Sequence, residues 1–136
     1  MIQIVKDADT RPWFFLQTAH TTYGMRVMET GHLEHLYYGE RITVDSQDPA
    51  SCAPLVIQRA FAPGNTCTYD REHPQISMED VCLEVGTLGK GDIREPFLEV
   101  RFADGSVTSD FTFDSYKIIT LKEREQCLQD LSLIHI

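Results

Sequence analysis

The dipeptide Asp104-Gly105 constrains this chain most, because it joins two stretches that both alternate. Before it, Leu98, Val100 and Phe102 interleave with Glu99 and Arg101; after it, Val107, Ser109, Phe111 and Phe113 interleave with Thr108, Asp110, Thr112 and Asp114. A strand sends successive side chains to opposite faces, so each stretch has one apolar side. Asp-Gly accepts the positive φ that a two-residue hairpin turn needs. An antiparallel hairpin is therefore expected over residues 96–113. Slipping either partner by one residue would expose Phe102, Phe111 and Phe113, so a firm register is expected with it.

Other segments repeat this short-strand pattern. Ile2 to Val5 and Trp13 to Leu16 are brief apolar runs. Tyr23, Met25 and Val27 alternate with Gly24, Arg26 and Met28, giving one apolar face. After a turn at Thr30-Gly31, Leu33, His35 and Tyr37 alternate with Glu34, Leu36 and Tyr38. Residues 23–38 thus predict a second hairpin, buried on at least one side. Asp45 to Pro54 (DSQDPASCAP) predicts an exposed loop, Leu55 to Phe61 a further strand, and Ala62 to Ile76 a long patterned loop. Ser77 is an N-cap candidate for one short helical turn, with Glu79 and Asp80 facing its positive end. Gly86 to Gly91 predicts a loop and Tyr116 to Thr120 a last strand. Eight or so strands with close turn signals and at most one short helix predict an all-β fold, an antiparallel β-sandwich.

Length and charge bound the function. The 136 residues suit one domain and are too few for a barrel enzyme of about 250 residues. A formal net charge of -9 argues against a nucleic-acid partner, which would want a basic stripe. No apolar stretch reaches the ~18 residues of a membrane span, and MIQIVKDAD lacks the regions of a signal peptide. The cysteines, Cys52, Cys67, Cys82 and Cys127, form no CxxC pair and no zinc-like spacing, and without an export signal reduced thiols in the cytoplasm are expected. Lys122 to Asp130 is a tail with some helical character. The last six residues, LSLIHI, are what CTGTCTCTTATACACATC encodes, the transposase end used to prepare sequencing libraries. Residues 131–136 are accordingly expected to be an adapter read in frame, and a strand edge to be left open where the domain is cut.

Candidate chemistry is sparse. Asp70 with Glu72, Asp92 with Glu95, and Asp110 with Asp114 are carboxylate pairs, but their spacing equally suits solvated loops and strands. His32 and His35 are three apart on a strand, which sends them to opposite faces and defeats shared metal ligation. His73, next to Pro74, is better placed to brace its loop than to bind metal. GKGDIREPF lacks the GxxxxGK[ST] pattern, and its Asp92 and Arg94 suit a local ion pair. Trp13 and Tyr37 suit packing. Tyr69, inside the long loop, is the aromatic best placed for a sugar or partner surface. No metal ligand set and no cofactor motif emerges.

Taken in order, GHLEHLYYG, RAFAPGN, YDREHP, SMEDVCLE, GKGDIREPF and ADGSVTSDF resemble the N-terminal β-sandwich domain of bacterial α-galactosidases of the melibiase type, glycoside hydrolase family 36. The likeness covers about residues 14–118. It implies an incomplete super-sandwich over residues 1–121, followed in a complete member by a (β/α)8 catalytic barrel and a C-terminal β-domain. Such enzymes remove terminal α-linked galactose from melibiose, raffinose and related sugars, with retention and without metal or cofactor. Their catalytic aspartates stand on the barrel, so no residue of this chain is assigned a catalytic role. Many members are tetramers in which N-terminal loops border a neighbouring subunit's active site. By that likeness, Arg59, Tyr69, Asp70 and His73 are the expected substrate-binding or inter-subunit edge. Some members carry an acidic residue just before the RAF run, where this chain has Gln58. The implied partners are α-galactoside sugars, the catalytic barrel and further copies of the chain. The alternative is a free-standing carbohydrate-binding β-sandwich module without catalysis.

Overall fold

A computed structural model of the chain describes residues 1–57 and 68–119. Four antiparallel strands form one sheet in the order β1-β2-β3-β4: β1 (Ile2–Lys6), β2 (Pro12–Gln17), β3 (Thr21–Val27) and β4 (Leu33–Glu40). Each strand pairs with its chain neighbour, as short turns dictate. The β3–β4 turn closes with Gly31 N–H donating to Met28 O (3.0 Å) and Met28 N–H to His32 O (2.8 Å). Gly31 takes φ 83 there, the conformation expected of it.

The core lies on the sheet face that carries Val5, Trp13 and Phe15, joined by Val44 and Cys52 and flanked by Leu36. Phe15 and Val5 are fully buried. Directly across from Phe15 stands Gly24, where an added Cβ would come within 3.1 Å of the Phe15 ring. The missing side chain at Gly24 is therefore room for an aromatic ring. A register irregularity at Gly24/Met25 pairs Gly24 with Tyr37 but Met25 with His35, which leaves Leu36 as the extra residue on β4. The Arg26 guanidinium sits 5.3 Å over the Trp13 ring and bonds Glu34 at 2.7 Å, so this face also takes a paired charge.

The opposite face, with Phe14 and Met25, is not bare. Phe14 packs against Phe113 (5.9 Å between ring centroids) and, edge-on, Tyr116 (5.1 Å). The β3 pattern therefore differs from a strand with one apolar face. Both sides are covered, and Thr22, Gly24 and Val27 are its buried positions.

Three further expectations need correction. Within DSQDPASCAP, expected as a loop, Pro49–Leu55 forms a 3-10 helix that buries Cys52. Asp48 caps it by accepting from Ala50 N–H (3.0 Å), with Pro49 in the first turn, an N-terminal signature that a turn-rich reading hides. This helix also takes Leu55, the start of an expected strand whose residues 58–61 lie outside the described residues. The short 3-10 helix Met78–Asp80 does form, but the Ser77 hydroxyl does not cap it and is buried without a hydrogen-bond partner among the described residues.

The third correction concerns residues 96–119. The turn at Asp104-Gly105 is present, with Gly105 at φ 87 and Phe102 N–H donating to Ser106 O (2.9 Å). No regular ladder extends from it among the described residues. Alternation survives in part, since Ser109 is buried while Thr108 and Thr112 are exposed. Phe102, however, is 47% exposed, so the register argument fails at that position. Alternation fixes which side chains share a face; a ladder also needs a neighbouring backbone at strand spacing. Here the segment is tied by scattered bonds instead: Ser109 N–H to Leu88 O, Phe113 N–H to Gly31 O, and an isolated bridge between Thr87 and Leu98. The fold class stands as all-β, with an antiparallel sheet and 3-10 turns consistent with an incomplete sandwich. Among the described residues no helix is long and apolar enough to cross a membrane. The expected tail at 122–130 and the adapter at 131–136 lie outside the described residues.

Candidate functional site

Residues 69–76 form a loop ordered mainly by its own groups. Asp70 Oδ1 accepts from the backbone N–H of Glu72 (2.9 Å) and of His73 (2.7 Å), and faces His73 Nδ1 at 2.9 Å. This is an Asx-type turn, which short acidic side chains favour. Tyr69 N–H donates to Ile76 O (2.8 Å), which closes the loop. Of the four residues expected at the edge, the structure brings Tyr69, Asp70 and His73 together in this loop. Arg59 lies outside the described residues.

Beneath the loop is a polar cluster. The Tyr69 hydroxyl donates to Asp110 Oδ2 (2.8 Å), and His32 Nε2 meets Asp110 Oδ1 (2.7 Å). His32 Nδ1 meets Thr30 Oγ1 (2.9 Å) in the β3–β4 turn. An ionised carboxylate only accepts, so His32 carries a proton on Nε2 and Tyr69 donates. Lys90 Nζ stands 3.6 Å from Asp110 Oδ2 and 5.5 Å from the Tyr69 ring centroid. The His32 and Tyr69 rings meet edge-on at 5.0 Å.

These contacts set the electrostatics. Burial, reinforced by the bond to Asp110, pushes the Tyr69 phenol up to about 12. Burial works to raise Asp110, but the donors His32 and Tyr69, with Lys90 nearby, outweigh it and hold the carboxyl below its ordinary value. At Asp70 desolvation likewise works to raise the carboxyl, and the His73 and Glu72 donors together outweigh it, so its pKa is lowered.

A second cluster repeats the chemistry further along β4. The Tyr23 hydroxyl donates to Glu84 Oε2 (2.5 Å), and His35 Nδ1 meets Glu84 Oε1 (3.0 Å). His32 and His35 thus serve different partners, Asp110 and Glu84. Among the described residues no group of three or more His, Cys, Asp or Glu side chains could hold a metal ion.

The GKGDIREPF segment carries a third device. Arg94 Nε and Nη2 each reach an Asp92 carboxylate oxygen at 2.8 Å, and Nη2 also donates to Met78 O (3.0 Å) and Val81 O (2.6 Å). The pair is more than a local surface bridge, because it ties this loop to the 3-10 turn at Met78–Asp80. Arg94 first, against opposing burial, lowers the Asp92 pKa.

Asp70, Asp92 and Asp110, one from each candidate carboxylate pair, are all shifted downward. A general acid for glycoside cleavage needs the opposite shift. Beside the loop, a cavity of about 340 Å³ is lined by Asp7, Arg11, Arg26, Glu29, Gln75 and Ser77 among others. Arg11 pairs with Asp7 (2.9 Å) and Arg26 with Glu34 (2.7 Å), while the Glu29 carboxylate keeps its charge and accepts from the Gln75 amide (2.8 Å). His32, Lys90 and Asp110 were not legible as members of the cluster, since nothing in the sequence pairs positions 78 residues apart.

Comparison with known proteins gives the family. The glycosyl hydrolase family 36 N-terminal domain matches residues 31–133. The chain is 35% identical over 116 residues to the bifunctional alpha-galactosidase/sucrose kinase AgaSK of Mediterraneibacter gnavus, covering 85% of this chain and 12% of that protein. It is 29% identical over 111 residues to alpha-galactosidase AgaA of Geobacillus stearothermophilus, covering 82% and 14%. Among solved structures, the alpha-galactosidase from Lactobacillus brevis superposes with a TM-score of 0.68 at 33% identity, over 83% of this chain and 14% of that one. The galactosidase domain of AgaSK superposes at 0.63 with 28% identity, over 84% and 15%. The chain therefore spans only about an eighth to a seventh of the relatives it matches. It belongs to glycosyl hydrolase family 36, as an N-terminal domain of that family.

Proposed function

We propose that this chain is the accessory and assembly domain of an α-galactosidase that hydrolyses terminal α-linked galactose from melibiose- and raffinose-type oligosaccharides. The observation that carries the reading is coverage: most of the chain aligns with α-galactosidases, yet it spans 12% and 14% of the two curated relatives. The chemistry then belongs to a catalytic barrel elsewhere in the polypeptide. The described carboxylates support this division, since none with a resolved shift is raised as a general acid requires. The Tyr69–His73 loop serves as an edge that borders substrate or a neighbouring subunit in a homo-oligomer, a tetramer by the family likeness. The adjacent cavity, where Arg11 and Arg26 are paired and the Gln75 amide and Glu29 carboxylate offer hydrogen-bonding groups, suits a hydroxylated ligand at that edge. On this reading the protein works in the cytoplasm, where the free thiols of Cys52 and Cys82 stay reduced.

In the longer enzyme, Asp70→Ala and His73→Ala should raise KM for melibiose or shift the tetramer toward smaller species on a sizing column. If neither changes, the loop is no edge. Titration of galactose, melibiose and raffinose into the 136-residue chain separates this reading from a free-standing binding module. Saturable binding at millimolar concentration or tighter would favour the module.

A further inference from the structure

The bonds that order the 69–76 loop hold its own shape, and none of them says where the loop sits. Among the described residues, two side-chain hydrogen bonds leave it: the exposed Gln75–Glu29 contact and the part-buried bond from Tyr69 to Asp110. The second has a rigid foundation. His32 is 4% exposed, fixed by Thr30 in the β3–β4 turn, and occupies the other Asp110 oxygen. The Asp110 segment returns to the same turn through Phe113 N–H, which donates to Gly31 O (2.7 Å). A continuous path thus runs from the sheet through His32 and Asp110 to Tyr69.

We infer that Asp110, oriented by His32, is the positioning residue that fixes the Tyr69–His73 edge relative to the sheet. Its relevance to catalysis rests on the proposed role of that edge; its effect on the loop does not. Both carboxylate oxygens are committed, one to His32 and one to Tyr69. In Asp110→Asn one of those two oxygens becomes an N–H2 donor, so one of His32 and Tyr69 loses its acceptor and the other bond loses its charge. Tyr69→Phe removes the donor and keeps the ring. The Tyr23–Glu84–His35 cluster supplies an internal control, because the same chemistry there holds a different segment, through Glu84 N–H to Leu33 O (2.9 Å) and His35 N–H to Cys82 O (2.7 Å).

Amide hydrogen exchange on the 136-residue chain tests this. Asp110→Asn and Tyr69→Phe should each speed exchange at residues 70–76 by about tenfold or more, the size of a lost charge-assisted bond. The double variant should go no further than the stronger single one, and Glu84→Gln should leave 70–76 unchanged. In the longer enzyme, Asp110→Asn should raise KM while kcat holds. Unchanged exchange at 70–76, full additivity in the double variant, or an equal rise across all four strands would overturn the inference. If Asp110→Asn loosens the loop while Asp70→Ala and His73→Ala leave KM and assembly alone, the positioning role stands and the edge reading falls.

Discussion

Replacing Asp92 with alanine tests whether the GKGDIREPF segment is a structural clip. The Asp92 side chain is 7% exposed and accepts three hydrogen bonds, from Arg94 Nε (2.8 Å), Nη2 (2.8 Å) and backbone N–H (3.0 Å). A hydrogen bond to a charged group contributes about 1.5–3 kcal/mol when dry. Arg94 is 45% exposed, and solvent screening reduces its share. Arg94 also keeps its bonds to Met78 O and Val81 O in the variant, so part of the clip survives. The net loss is therefore about 1–2 kcal/mol, which lowers the urea midpoint by roughly 0.5–1 M at the slopes usual for small domains. Because Arg94 holds the folded-state Asp92 pKa below its ordinary 3.8, the contribution is complete above that value and fades as pH falls through the folded-state pKa. Urea melts of wild type and Asp92→Ala should differ fully at pH 7 and pH 5.5 and converge in acid. Arg94→Lys should lose much of the same stability, since an ammonium cannot fork across both oxygens. Equal midpoints at pH 7, or a gap that persists unchanged in acid, would refute the clip.

Other consequences follow from burial. Phe15→Ala removes a ring with no exposed surface and should cost about 3–5 kcal/mol, read as a large fall in the denaturation midpoint. Cys82 is exposed while Cys52 is 1% exposed, and burial pushes the Cys52 thiol up. Timed alkylation followed by peptide mass spectrometry should therefore label Cys82 well before Cys52.

What the sequence made legible follows from the range of each signal. Apolar runs, alternation and turn chemistry are local: the runs located β1 and β2, and alternation with turn residues located β3, β4 and the turns at Gly31 and Gly105. The extra residue Leu36 on β4 is also local in effect, yet it leaves no mark in a pattern of apolar residues. The segment beyond Pro96 shows the opposite limit. Its alternation is clear, but pairing depends on which backbone lies alongside, and the sequence pattern does not carry that. Cys52 misled for a related reason: in a run of Asp, Pro, Ala and Ser it reads as loop, and its burial comes in large part from Val5, Trp13 and Phe15, far away in the chain. At the candidate site, the brace between Asp70 and His73 spans three residues and was foreseeable. The seat under Tyr69 joins His32 to Asp110 across the whole domain, and only the fold brings them together.

The claim that this domain assembles an enzyme without performing its chemistry is tested most directly by assaying the 136-residue chain for hydrolysis of a chromogenic α-galactoside. The account predicts no turnover above buffer from the chain alone, and turnover from the same domain within a polypeptide of its relatives' length. Release of galactose by the isolated chain would contradict it.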